Sequence, residues 1–172
     1  KLIEEGKIKA YGASLDTYDD MKLLMDTTNS KVIEAFFNIF HQDTLRGFEK
    51  AQNKEIGIIV KIPLDSGWLT GKYNGESKFN DIRSRWSKED IETRANLVNK
   101  VKSIIGTEVN LSQMAIAFCL AYDAVSTVIP GNVNIEQLIN NVKSTNINIS
   151  KNLIEKLEYL YQSEIKNLNL PW

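Results

Sequence analysis

Four stretches of the chain carry apolar and β-branched residues in the manner of strands. They are Ile8–Ser14, Val32–Phe37, Gly57–Ile62 and Val125–Ile129. The run Ile58-Ile59-Val60 is continuous rather than alternating, as expected of a strand covered on both faces in a parallel sheet. Between and after the strands the apolar spacing turns helical. Thr17 is placed to cap a helix with Tyr18, Met21, Leu24 and Met25 on one side, and Asp43 to cap a second with Leu45, Phe48 and Ala51 inward. Ser87 opens a long helix with Ile91, Ala95, Val98, Val101 and Ile105 on one stripe and Gly106 as its stop. Ser112–Tyr122 is almost wholly apolar and reads as a buried helix. Ile135–Lys143 shows an apolar face of Ile135, Leu138, Ile139 and Val142, and Lys151–Glu164 one of Leu153, Ile154, Leu157, Leu160 and Tyr161. Leu2–Glu5 reads as a helix end closed by Gly6. Four βα units in a row predict a parallel sheet joined by right-handed crossovers.

Two of the strand ends share a design. After Gly57–Ile62, Pro63 stops the ladder, Asp65-Ser66-Gly67 is turn chemistry, and Gly71 adds a second flexible point. After Val125–Ile129, Pro130-Gly131 stops the strand and Asn134 caps a helix, with Gln137 three residues on. Free backbone amides in a glycine-punctuated loop or at a capped helix start suit an anion. The alternative is plain turn punctuation. Successive strands with such ends match the phosphate site after strands seven and eight of a (β/α)8 barrel. The long polar segment from Tyr73 to Ser87, with Lys78, Asp81, Arg83 and Arg85, reads as a solvated loop, a clamp over a ligand being the alternative. Trp68 and Trp86 read as loop packing rather than pocket lining.

Composition narrows the classes. The chain has 172 residues, 42% hydrophobic and 25% charged, with net charge −1, enough for one core. The near-neutral balance argues against a nucleic-acid partner, and no apolar run approaches a membrane span. One cysteine, Cys119, excludes an internal disulfide and fits a reducing, cytoplasmic setting. In MAIAFCLA it reads as a buried inert thiol. No metal-ligand cluster is apparent, and His41, the single histidine, has no orienting partner in view and reads as surface or loop packing.

The segments GKIKAYGAS, VIEAFFN, KIPLDSGWLTGKY, DIRSRW and VIPGNVNIEQLINN together resemble the aldo-keto reductase family, its bacterial members in particular. Their order and spacing match strands five to eight of that barrel across residues 1–172, with Pro171-Trp172 resembling the family's C-terminus. The resemblance implies an α/β fold of (β/α)8 TIM-barrel type, this chain supplying about four βα units and extra C-terminal helices. It implies an NADP(H)-dependent carbonyl reductase acting on a small carbonyl substrate.

On this resemblance Ser14 and Glu34 lie at the nicotinamide amide, with Leu15 and Glu34 standing where relatives have Asn and Gln, and Lys61 at the stacking position. Pro63, Leu64, Ser66, Gly67, Leu69, Gly71 and Lys72 match the pyrophosphate clamp. Ile129, Pro130, Gly131, Gln137 and Asn141 match the last loop, Gln137 near the 2′-phosphate and Asn141 near the adenine. Val133 stands where relatives often have Arg, so NAD is the alternative cofactor. The family's catalytic Asp, Tyr, Lys and His belong to strands two to four, ahead of Lys1, so no catalytic residue is assigned here.

Three functions follow as expectations: the cofactor half of a reductase, inactive alone; a nucleotide sensor without turnover, like channel-associated β-subunits; or an assembly half-barrel. A half-barrel is expected to expose Phe37, Ile62, Ile129 or their strand neighbours. It therefore calls for an N-terminal half or for self-association.

Overall fold

The computed structural model describes residues 1–106, 108–168 and 170–171; Trp172, part of the C-terminal match, lies outside them. Four parallel strands form one sheet in chain order: β1 (Gly12–Leu15), β2 (Val32–Phe36), β3 (Gly57–Lys61) and β4 (Val125–Val128). Sequential parallel order is what successive βα crossovers produce. The helices are α1 (Tyr18–Thr27), α2 (Phe48–Asn53), α3 (Lys88–Ile105), α4 (Leu111–Leu120), α5 (Ile135–Lys143) and α6 (Lys151–Leu160). Single helical turns at Asp43–Gly47, Asp65–Thr70 and Ile82–Arg85 punctuate the loops.

The expected elements are present with shifted ends. The first strand begins at Gly12, not Ile8, because Lys31, the residue before β2, already donates to Tyr11 O and sets where pairing starts. Residues 2–5 form turns rather than a helix end. Asp43 does not cap its own helix. Its Oδ2 accepts from the Tyr18 amide at 2.8 Å, so it caps α1 across the crossover. The buried helix starts at Leu111 behind an Asn110 cap, and Ser87 with Asp90 forms a full capping box on α3.

Side chains alternate across the sheet. Ile33, Ala35, Ile58 and Val60 face the helices and are fully buried with Met21, Met25, Phe118 and Leu157. The opposite face carries Ser14, Glu34 and Lys61 together with Val32, Phe36 and Ile59. The open face is therefore mixed, with a polar row beside half-buried Val32 and Ile59, strand neighbours of the residues expected there. Phe37 lies just past β2 on the helix side, fully buried, with its ring 5.0 Å from Phe48 and 5.6 Å from Phe118. Ile62 is half-buried, and of the three only Ile129 is exposed.

The larger apolar exposure lies at the ends of the sheet instead. On α5 the side chains of Ile135, Leu138, Ile139 and Val142 are exposed, as is Val133 before it. Near β1, Leu2, Ile3, Ile8 and Tyr11 are exposed as well.

Candidate functional site

The loops leaving β3 and β4 enclose a cleft of about 660 Å³. Pro63, Leu64, Ser66 and Gly67 form one wall with Lys72 beyond them. Ile129, Gly131, Gln137 and Asn141 form the other. Arg83, Ser112 and Asn140 complete it. Nine of the sequence-predicted residues thus share one cavity lined by Lys72 and Arg83, and none of its described lining residues is acidic.

The first wall is built on unusual backbone. Ile62 (φ 55°), Asp65 (φ 44°) and Ser66 (φ 53°) all adopt left-handed conformations, followed by Gly67 at φ 100°. Such conformations cost of order 1–3 kcal/mol each in non-glycine residues and persist only where surrounding contacts impose them. The contacts here are specific. Asn38, fully buried, donates from Nδ2 to Ile62 O at 2.9 Å. The Asp65 carboxylate, 1% exposed, accepts from Arg94 Nε at 3.1 Å and lies 3.4 Å from His41 Nε2. Arg83 donates from Nε to Ser66 O at 2.8 Å. The Gly67 amide closes the turn onto Leu64 O at 2.9 Å. Glycine is required at 67, since a β-carbon would also meet the Tyr73 ring at 3.1 Å. Burial raises the Asp65 carboxyl, but His41 and Arg94 outweigh it and hold the group below its ordinary range.

The second wall is a web of amides. Asn134 accepts the Gln137 amide at 2.9 Å as the α5 cap, while Gln137 Oε1 accepts the Val133 amide at 3.0 Å. Asn141 Nδ2 donates to Asn132 Oδ1 at 2.7 Å. These bonds leave the NH2 of Gln137 and the carbonyl of Asn141 for a ligand. A β-carbon on Gly131 would meet nothing within 4 Å, so the floor beside it is open.

The remaining predicted residues lie elsewhere. Ser14, Glu34 and Lys61 come together on the open sheet face. Lys61 Nζ reaches across β2 to donate to Ser14 Oγ at 2.9 Å and to Asp16 Oδ1 at 2.7 Å, and Ser14 lies 3.3 Å from Glu34 Oε1. Leu69, matched to the clamp, is fully buried in the core instead. Gly71, at φ 76°, ends the Asp65–Thr70 turn and lines a neighbouring depression with Tyr73 and Asn74.

The sequence reading missed the anchor behind the cleft. His41 does have an orienting partner, Asp65, and its ring lies 4.3 Å from Phe36. Arg94 was visible as a charge three residues from Ile91 and four from Val98, on the apolar stripe of α3. Arg83 belongs to the cleft, whereas Asp81 pairs with it and Arg85 is exposed. Trp68 and Trp86 pack the loops, as expected. Burial raises the Cys119 thiol far above its ordinary range, consistent with an inert group. Among the described residues no group of three His, Cys, Asp or Glu could hold a metal ion. Among the described residues no helix is long and apolar enough to cross a membrane.

The model of the Aldo/keto reductase family matches residues 1–162. The chain belongs to that family. A probable voltage-gated potassium channel subunit beta of Arabidopsis thaliana is 34% identical over 156 residues, which is 83% of this chain and 47% of that protein. Aldo-keto reductase yakc (NADP(+)) of Schizosaccharomyces pombe is 25% identical over 167 residues, 91% of this chain and 49% of the other. The holo form of aldo-keto reductase AKR11C1 from Bacillus halodurans superposes with a TM-score of 0.74 at 21% identity. That match takes in 99% of this chain and 54% of AKR11C1. This aldo-keto reductase chain therefore has a TIM-barrel-type fold and spans about half the length of the curated relatives it matches.

Proposed function

We propose that the cleft holds a nicotinamide dinucleotide, which makes this chain the cofactor half of an NAD(P)H-dependent reductase of small carbonyl compounds. The observation that carries the reading is the cleft's charge. Lys72 and Arg83 line it, Arg83 paired from outside the cleft by Asp81 and no lining residue acidic, between a left-handed loop and the start of α5, and such a setting suits a diphosphate. When bound, the dinucleotide supplies the hydride. In this reading Ser66, Gly67, Lys72 and Arg83 hold its diphosphate, and Gln137 and Asn141 its adenosine end. Ser14, Glu34 and Lys61 face its nicotinamide end on the open side of the sheet, where Glu34 accepts from the amide NH2. The cofactor is NADP(H), with NAD(H) as the weaker ligand, and the setting is the reducing cytoplasm.

The four family catalytic residues have no match in this chain, so it does not turn over aldehydes alone. Its partner is a complementary four-stranded half-barrel, seated against the β1 and β4 edges and the apolar side of α5, or a second copy in that place. Titration of the purified chain with NADPH and NADH, followed by tryptophan fluorescence, tests the cofactor reading. Saturable binding is expected, with no NADPH oxidation when a nitrobenzaldehyde is added. Absence of binding for both nucleotides overturns it.

A second reading has the same cleft serving as a nucleotide sensor without hydride transfer. Similarity to the probable channel subunit beta supports it. Aldehyde reduction once a closing half is supplied would exclude this second reading.

A further inference from the structure

Three elements converge on one buried carboxylate. The turn after β2 pins the β3 loop twice: Asn38 holds Ile62 O at 2.9 Å, and His41 Nε2 lies 3.4 Å from Asp65 Oδ1. Asn38 and His41 are themselves locked by reciprocal backbone bonds of 3.0 and 3.1 Å. From the other side α3 delivers Arg94 Nε to Asp65 Oδ2 at 3.1 Å, and Arg94 Nη2 reaches on to Pro171 O. Asp65 and Arg94 are essentially sealed from solvent, and His41 is 21% exposed.

A buried ion pair is a poor way to gain stability, since removing both charges from water offsets most of their attraction. Its use here is geometric. Asp65 is one of three non-glycine residues held at positive φ between Ile62 and Ser66, and it directly precedes Ser66 and Gly67, which line the cleft.

We propose that Asp65, gripped by His41 and Arg94, is the positioning residue of the cleft. Its carboxylate imposes the left-handed turn that shapes the diphosphate wall, without touching the ligand. The proposal rests on the nucleotide reading above for its ligand, but its structural half stands alone.

The test compares Asp65→Asn with the wild-type chain using two probes. NADPH spans both walls. Adenosine 2′-monophosphate has no 5′-phosphate and, in that reading, reaches only the α5 wall. NADPH affinity is expected to fall about tenfold or more, while affinity for the monophosphate stays within about twofold. An equal loss for both probes, or none for either, overturns the proposal.

Amide exchange gives the second readout. Residues 64–71 are expected to exchange faster in Asp65→Asn while 58–60 in β3 keep their protection. Unchanged exchange at 64–71 overturns the anchor whatever the nucleotides do. If wild type binds neither probe, the nucleotide reading fails and exchange alone decides the anchor. His41→Gln removes one of the two contacts and is expected to give a smaller change in the same direction. It serves as the deciding variant if Asp65→Asn does not fold.

Discussion

Gln137 Oε1 accepts the Val133 amide at 3.0 Å, so the residue proposed to meet a 2′-phosphate spends its acceptor on its own loop. What it leaves is a neutral donor, and Val133 beside it is 87% exposed and offers no charge. Discrimination between NADPH and NADH is therefore expected to be modest. A charge-assisted contact contributes about 1.5–3 kcal/mol, roughly ten- to a hundredfold. Val133→Arg is expected to raise the NADPH preference by about that factor in parallel fluorescence titrations. A wild-type preference beyond about a thousandfold would contradict this account of the loop.

Gly12 sets how closely β1 approaches β2. A β-carbon there would lie 2.1 Å from Val32 O, against backbone that has no flexible end to give way. Gly12→Ala is expected to cost about 1–3 kcal/mol, read as a lowered urea midpoint. Gly131→Ala meets nothing within 4 Å and serves as the neutral control.

Acid sensitivity follows from Asp65. Burial opposes its ionisation, yet His41 and Arg94 hold the carboxyl below its ordinary value in the folded chain. A depressed folded-state value contributes stability that is fully present above the unfolded value, near 3.8. That stability is lost as pH falls through the folded value. Between about pH 5 and pH 1 the wild type should therefore lose stability more steeply than Asp65→Asn. Parallel slopes in urea melts across that window would remove Asp65 as the source.

The exposed face of α5 predicts association. Ile135, at 75% exposure, together with Leu138, Ile139 and Val142, makes an apolar stripe that water meets directly. Leu138→Lys with Ile139→Lys is expected to shift the purified chain toward monomer in light scattering without lowering its melting temperature. A wild-type chain that is already a cooperative 19.5 kDa monomer would contradict the prediction.

The order of strands and helices was legible in the sequence because period and caps agreed locally, as at Ser87–Asp90 and Asn134–Gln137. The two cleft loops were legible for the same reason: their glycines and prolines punctuate strand ends. What local pattern could not show was side chains reaching across the fold. Asp43 was read as a cap for its own segment because the Tyr18 amide it serves is 25 residues away. Arg94 and Asp65 are 29 residues apart, and nothing in either neighbourhood names the other. Phe37 shares its side with Ile33 and Ala35, so the period of two already sends it to the helices, and it is Val32 and Phe36 that share the open face with Glu34.

The ionic row of Lys61, Asp16, Ser14 and Glu34 also bears on the order of assembly. Its members already satisfy one another while the sheet is open, so these polar groups need no cover to stay paired. A closing half of the kind proposed would gain its adhesion at the two seams and would have to strip water from these charges as it arrives. Docking of two preformed halves would then be a slow, concentration-dependent step separate from folding. Added salt would screen the exposed inner charges and would leave the apolar seams intact.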